Sequence, residues 1–273
     1  MFQIAISYMN PGHIDLLRYG RDLGIDKCVM TIPAVSRFDA RLVQPWHYMV
    51  LYEAKRLAND FGMQLSVLEG IRFLERAKLG IDGKDEEISS FCQTIEYMGK
   101  LGISTVCYNW MPVWGWFRSS FYGQGRGCAT VTSFCGTDVE EIPPAKIGEI
   151  SKDRLWSNLE YFLKKVIPVA EKNHVRLALH PDDPPVDKIA GIERILVTPD
   201  AMMEAAKLVP SAYNGICLCQ GTFSAMGADV PAEIRRFGNA KKLFFPILEM
   251  FKGQARPLRS VFMTRATLIC MNV

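Results

Sequence analysis

Short apolar, β-branched runs recur along this chain, and a longer segment with helical periodicity follows nearly every one. The runs lie at 2–7 (FQIAIS), 27–32 (KCVMTI), 64–69 (QLSVLE), 103–108 (ISTVCY), 175–180 (VRLALH), 214–219 (NGICLC) and 241–245 (KKLFF). Amphipathic patterns fill about 12–23, 45–61, 84–100, 153–173, 199–208 and 231–238. A strand that is apolar on both faces must be covered on both, and alternating helices give that cover when the strands run parallel. Local signals agree. The glycines of NDFGM and GKLGI stand where a helix ends in a left-handed turn, and Thr198–Pro199 is a hydroxyl cap followed by a residue with no N–H to satisfy. The expectation is an α/β fold of the TIM (β/α)8 type, with a doubly wound open sheet as the alternative. A chain of 273 residues accommodates such a barrel, which takes ~250.

Segment 114–150 is long, has no clean period, and follows the C-terminal end of a strand, the face on which barrels carry their sites. Charge excludes some classes of partner. Basic and acidic residues number 32 and 29, and no run of Lys or Arg exceeds two, so no stripe for nucleic acid is expected. No apolar stretch approaches the ~18 residues of a membrane span, and the N-terminus has no basic leader. The eight cysteines are scattered, which suits reduced thiols and a cytoplasmic location. No G-x-G-x-x-G, P-loop or G-x-S-x-G motif is present, which argues against dinucleotides, nucleoside triphosphates and serine hydrolysis.

Several expected strands end in polar or sulfur-bearing side chains: Glu69, Tyr108 with Asn109, His180 with Asp182 and Asp183, and Cys219 with Gln220. In a parallel barrel these ends converge on one face. A histidine and a thiolate there suit a divalent metal, although spacing alone leaves His180 open as a satisfied loop residue and Cys219 as a small core hydrophobe. Cys217 and Cys219 alternate onto the same side of a strand, but no second pair has matching spacing, so a structural zinc site is rejected. His13, His47 and His174 read as solvated or capping residues. Tyr108, Trp110, Trp114, Trp116 and Phe117 could line a pocket or fill a core, and Arg118 could bind a carboxylate substrate or sit in a surface ion pair.

Three stretches, TVCYNWMPVWGWFR (105–118), VIPVAEKNHVRLALHPDDPP (166–185) and NGICLCQGTFSAMGADVPAEIRRFG (214–238), resemble the mannonate dehydratase family in the same order along the chain. Fainter similarity covers 1–245. The resemblance implies a xylose-isomerase-like barrel that uses Mn2+ or Fe2+ to dehydrate D-mannonate to 2-keto-3-deoxy-D-gluconate in glucuronate breakdown. It implies His180 and Cys219 as metal ligands, and Arg118, Tyr108, Asn109, Glu69 and Asp182 as the substrate-binding set. Catalytic residues are not assigned. The implied partner is the small sugar acid, with neither nucleic acid nor membrane, and a homo-oligomer stays open. Related alternatives are a sugar isomerase or epimerase, which would want more carboxylates at strand ends than Glu69, and a non-catalytic sugar-acid-binding paralogue.

Departures from the family pattern are local until Phe245. The family's R-W-Y-G opening is ISYMN here, H-E-D-I-K is FLERAK, and Gly115 replaces an aspartate. After Phe245 the family continues into a strand with a metal-binding histidine, H-F-R-D-V, and later into H-D-E-G-D-A-D-M-Y-E. Codons for both, read one base late, give ILEMF (247–251) and MTRATLICMN (263–272). The expectation is therefore a barrel domain over 1–245 and a frameshifted tail over 246–273. That leaves the barrel incomplete at its C-terminal end and the metal site short of a ligand. RATLICMNV is apolar enough to act as a makeshift strand, and dehydratase activity is expected to be weak or absent.

Overall fold

The computed structural model describes residues 2–9, 13–31, 43–44, 46–70, 74–125, 128–140, 142–252 and 261–272, with the backbone alone over 249–252 and 261–272. The strands are β1 (Phe2–Tyr8), β2 (Lys27–Met30), β3 (Gln64–Glu69), β4 (Thr105–Asn109), β5 (Ser120–Gln124), β6 (Thr130–Phe134), β7 (Arg176–His180), β8 (Lys188–Ile189), β9 (Ile192–Glu193), β10 (Asn214–Cys219), β11 (Leu243–Lys252) and β12 (Val261–Asn272). The helices are α1 (Asp15–Asp22), α2 (Tyr48–Asp60), α3 (Glu75–Leu79), α4 (Lys84–Leu101), α5 (Thr137–Glu140), α6 (Lys152–Asn173), α7 (Pro199–Leu208), α8 (Gln220–Ala225) and α9 (Val230–Asn239).

β1, β2, β3, β4, β7, β10 and β11 lie side by side and parallel, matching the seven apolar runs. β12 then pairs antiparallel with β11 on one side and with β1 on the other, so the sheet returns to its first strand. The TIM-type architecture is present, and its eighth strand runs against the other seven. RATLICMN (265–272), of the stretch expected as a makeshift strand, lies in it. β12 also carries the β5–β6 hairpin on its outer end, through Val261↔Phe134 to Met263↔Thr132. That hairpin lies within 114–150, where no period is visible because β5 is half-exposed or exposed throughout.

Alternation sorts each strand's side chains into two cores. One set points outward beneath the helices, where Phe162 of α6 packs against Trp110, Phe91 and Tyr108 at ring separations of 5.1, 5.3 and 5.5 Å. The other points inward and is built largely of small residues: Ala5, Val29, Val67, Cys107, Ala178, Cys217 and Cys219, closed by Phe245 and Ile247. These inward side chains run up to the C-terminal ends of the strands. Gly215 of β10 lies close against β11. A Cβ there would lie 2.6 Å from the main-chain oxygen of Lys242 and 2.5 Å from the Phe244 ring, so only glycine allows this approach.

Candidate active site

The inward-facing residues at the strand ends form the rim. Glu69 ends β3 two residues beyond Val67, and Asn109 ends β4 two beyond Cys107. Asn109 is in register with His180, which ends β7 two residues beyond Ala178. Cys219 ends β10 and is in register with Ile247 of β11. The structure thus brings Glu69, Asn109, His180 and Cys219 to one face of the sheet.

His180 is half-buried, and its Nδ1 lies 2.7 Å from the main-chain oxygen of Pro181. A carbonyl can only accept, so a neutral ring carries its proton on Nδ1 and keeps the Nε2 lone pair for a ligand. Cys219 is buried, and its sulfur accepts a hydrogen bond from the Thr222 hydroxyl at 3.0 Å. Both side chains suit a divalent cation. The third inward position of the adjacent strands, Ile247, is aliphatic and buried. Among the described residues no group of three or more His, Cys, Asp or Glu side chains converges to hold a metal ion. The residues present therefore do not fit a closed Mn2+ or Fe2+ site.

Arg118 meets a carboxylate of the chain itself. Its two terminal nitrogens donate to Asp183 Oδ1 and Oδ2 at 2.7 and 2.8 Å, its Nε donates to Thr132 Oγ1 at 3.3 Å, and its guanidinium lies 4.2 Å from the Trp116 ring centre. Asp182 is fully buried and accepts from Leu196 N at 2.8 Å, while its Oδ1 has no hydrogen-bond partner among the described residues. Burial pushes the Asp182 carboxyl above its ordinary value, and the nearby Arg194 opposes that rise. Arg194 is buried too and donates to the main-chain oxygens of Pro184 and Gly115 at 3.3 and 2.7 Å. The prolines after His180 thus cap a charged, buried turn, with Asp183–Pro184 in the cis form.

Tyr108 faces the other way. Its ring lies in the helix-side core, and its buried hydroxyl has no partner among the described residues. Trp110 is also core, donating from Nε1 to Leu155 O at 3.1 Å, whereas Trp116 is exposed. His47 caps α2 by accepting from Met49 N, and His174 ends α6 in a left-handed conformation with Nδ1 3.0 Å from Tyr213 Oη. Neither joins the rim, in keeping with capping roles. Cys217 and Cys219 share the barrel interior as alternation requires, and burial raises the Cys217 thiol well above its ordinary value. Sequence reasoning missed Lys78 and Arg194, and did not pair Asp183 with Arg118. Lys78, in FLERAK, lies outside every helix expected from the sequence, yet it is buried against Asn109.

The family model for D-mannonate dehydratase (UxuA) matches residues 24–149 and 145–254. Mannonate dehydratase 1 of Halalkalibacterium halodurans is 32% identical over 71% of this chain. The chain spans 62% of the length of that relative. The crystal structure of mannonate dehydratase from Streptococcus suis serotype 2 superposes with a TM-score of 0.82 at 28% identity, covering 95% of this chain and 74% of that one. A xylose isomerase domain protein from Planctomyces limnophilus superposes at 0.57 with 10% identity, a likeness of fold alone. By the extent of these matches, the chain belongs to the mannonate dehydratase family.

Proposed function

We propose that this chain is a hydro-lyase of the mannonate dehydratase type whose turnover is weak in this form. The reaction removes the proton beside the carboxylate of D-mannonate and expels a hydroxyl as water, giving 2-keto-3-deoxy-D-gluconate in glucuronate breakdown. The observation that supports this reading is the rim itself. His180 with a free Nε2, Cys219, Asn109 and Glu69 surround a mouth above small inward side chains, which suits a polar, polyhydroxylated ligand. Mn2+ or Fe2+ is the proposed cofactor, and His180 and Cys219 are the side chains that would bind it. Arg118, held by Asp183, and Asp182 would shape the mouth from the turn that follows His180. The proposed location is the cytoplasm, where the described free cysteines would stay reduced.

Ile247 supports the second half of the proposal, because two protein donors hold a hard divalent cation poorly. The test is direct. The purified chain is incubated with D-mannonate, with and without Mn2+, while 2-keto acid and ligand binding are followed in parallel. The expected outcome is saturable binding of mannonate with little product. Rapid turnover would refute the weak-activity reading, and no binding would refute the sugar-acid reading. Binding of equal strength with and without metal would favour a non-catalytic sugar-acid-binding role, which Ile247 also supports.

A further inference from the structure

Lys78 lies on α3, and only 3% of the residue is exposed. Its ammonium donates to Asn109 Oδ1 and Glu75 Oε1, both at 3.1 Å, and to the main-chain oxygen of Met111 at 3.3 Å. An ammonium has as many N–H groups as these bonds require and no lone pair, so the contacts exhaust it. Burial works against the charge, and the carboxylates of Glu75, Asp182 and Glu87 work to keep it. Glu75 also accepts from Val113 N at 2.8 Å, tying α3 to the segment that follows Asn109.

These bonds decide which way round the Asn109 carboxamide sits. Lys78 Nζ and Met111 N, each 3.1 Å from the same atom, can only donate, so that atom must be the oxygen. Asn109 Nδ2 is then turned from both of them, and no hydrogen bond to it is found among the described residues. It belongs to a half-buried residue on the inward side of β4, beside His180.

We propose that Lys78 is a positioning residue: by fixing Asn109 Oδ1, it presents Asn109 Nδ2 as an oriented hydrogen-bond donor to a carboxylate or hydroxyl oxygen of the sugar acid. This rests on the functional reading above and adds to it a residue that touches no ligand. Lys78 shares with Met111 N the task of setting the polarity of the rim at Asn109. Without it Met111 N alone holds Asn109 Oδ1, so the carboxamide is less firmly held and its Nδ2 less well aimed at the ligand.

The test uses the full chain labelled with 15N-asparagine, in which Asn109→Leu identifies the Asn109 side-chain NH2 resonances. In the ligand-free wild type these should be rigid by heteronuclear NOE, and Lys78→Met should make them mobile. Titration with D-mannonate should shift them in the wild type. Affinity should fall roughly tenfold in Lys78→Met and in Asn109→Leu, and no further in the double variant, as one shared hydrogen bond requires. An Asn109 amide equally rigid without Lys78 overturns the proposal. So does mannonate binding that shifts other resonances but not this pair, and in that case the sugar-acid reading survives. If mannonate shifts nothing, both fall together. Should Lys78→Met fail to fold, the wild-type titration decides.

Discussion

The phenol of Tyr108 shows how a residue with the right chemistry can occupy the wrong side of a strand. It is adjacent in sequence to Asn109, and alternation therefore sends it to the helix-side core, where its hydroxyl finds no partner among the described residues. An orphaned buried hydroxyl costs about 1–3 kcal/mol. Tyr108→Phe is accordingly expected to raise stability by up to that amount in urea unfolding and to leave mannonate affinity unchanged; a weaker affinity would put Tyr108 in the binding site after all. Arg118 presents the opposite case. Its sequence context suggested a carboxylate partner, and the partner found is Asp183, in a bidentate pair buried on both sides. Breaking a buried pair by removing one charge costs about 3–5 kcal/mol, because the survivor stays desolvated. Arg118→Met should lower the unfolding free energy by about that much, with Arg118→Lys intermediate because an ammonium cannot match the fork. An unfolding midpoint unchanged in Arg118→Met would mean that the pair is not closed in solution.

Among the elements, β10 depends on a residue with no side chain. Gly215 is crowded by a ring on one side and a carbonyl on the other, and the register between β10 and β11 shifts just beyond it. Gly215→Ala should cost about 1–3 kcal/mol, read as a lower thermal midpoint. Trimming Phe244 to Leu should not rescue it, since the Lys242 oxygen is backbone. Full recovery in the double variant would locate the conflict in the ring alone. The parallel strands were legible in the sequence because burial on both faces leaves continuous apolar runs at 64–69, 103–108 and 214–219. The β5–β6 hairpin was not, because exposed strands carry no such constraint. Lys78 was illegible for a related reason. A lysine in a five-residue helix has the composition of a solvated turn, and only the packing of α3 against the β4 end reveals its burial. His180 and Cys219 could be read as strand-end donors, but whether they would find a third partner depended on β11.

At the scale of the whole molecule, that third position is Ile247, the inward neighbour of Cys219. Ile247→His would place an imidazole in register with the Cys219 sulfur, one strand away from His180. Co2+ affinity should rise on the order of tenfold or more, with thiolate-to-cobalt absorption bands appearing in the variant and not in the parent. Equal bands in both chains would mean that two donors and solvent already suffice. The closure of the barrel has a consequence of a different kind. Because β12 enters against its neighbours, it descends from the mouth to the floor and finishes beside the first strand, with Asn272 opposite Phe2. Positions 2 and 272 thus meet on the face opposite His180 and Cys219. A bridge of a few residues between them would turn the chain into a ring without crossing the mouth. New ends could then be opened in an exposed turn such as Leu23–Gly24, leaving every strand neighbour in place and changing only the order in which synthesis delivers them.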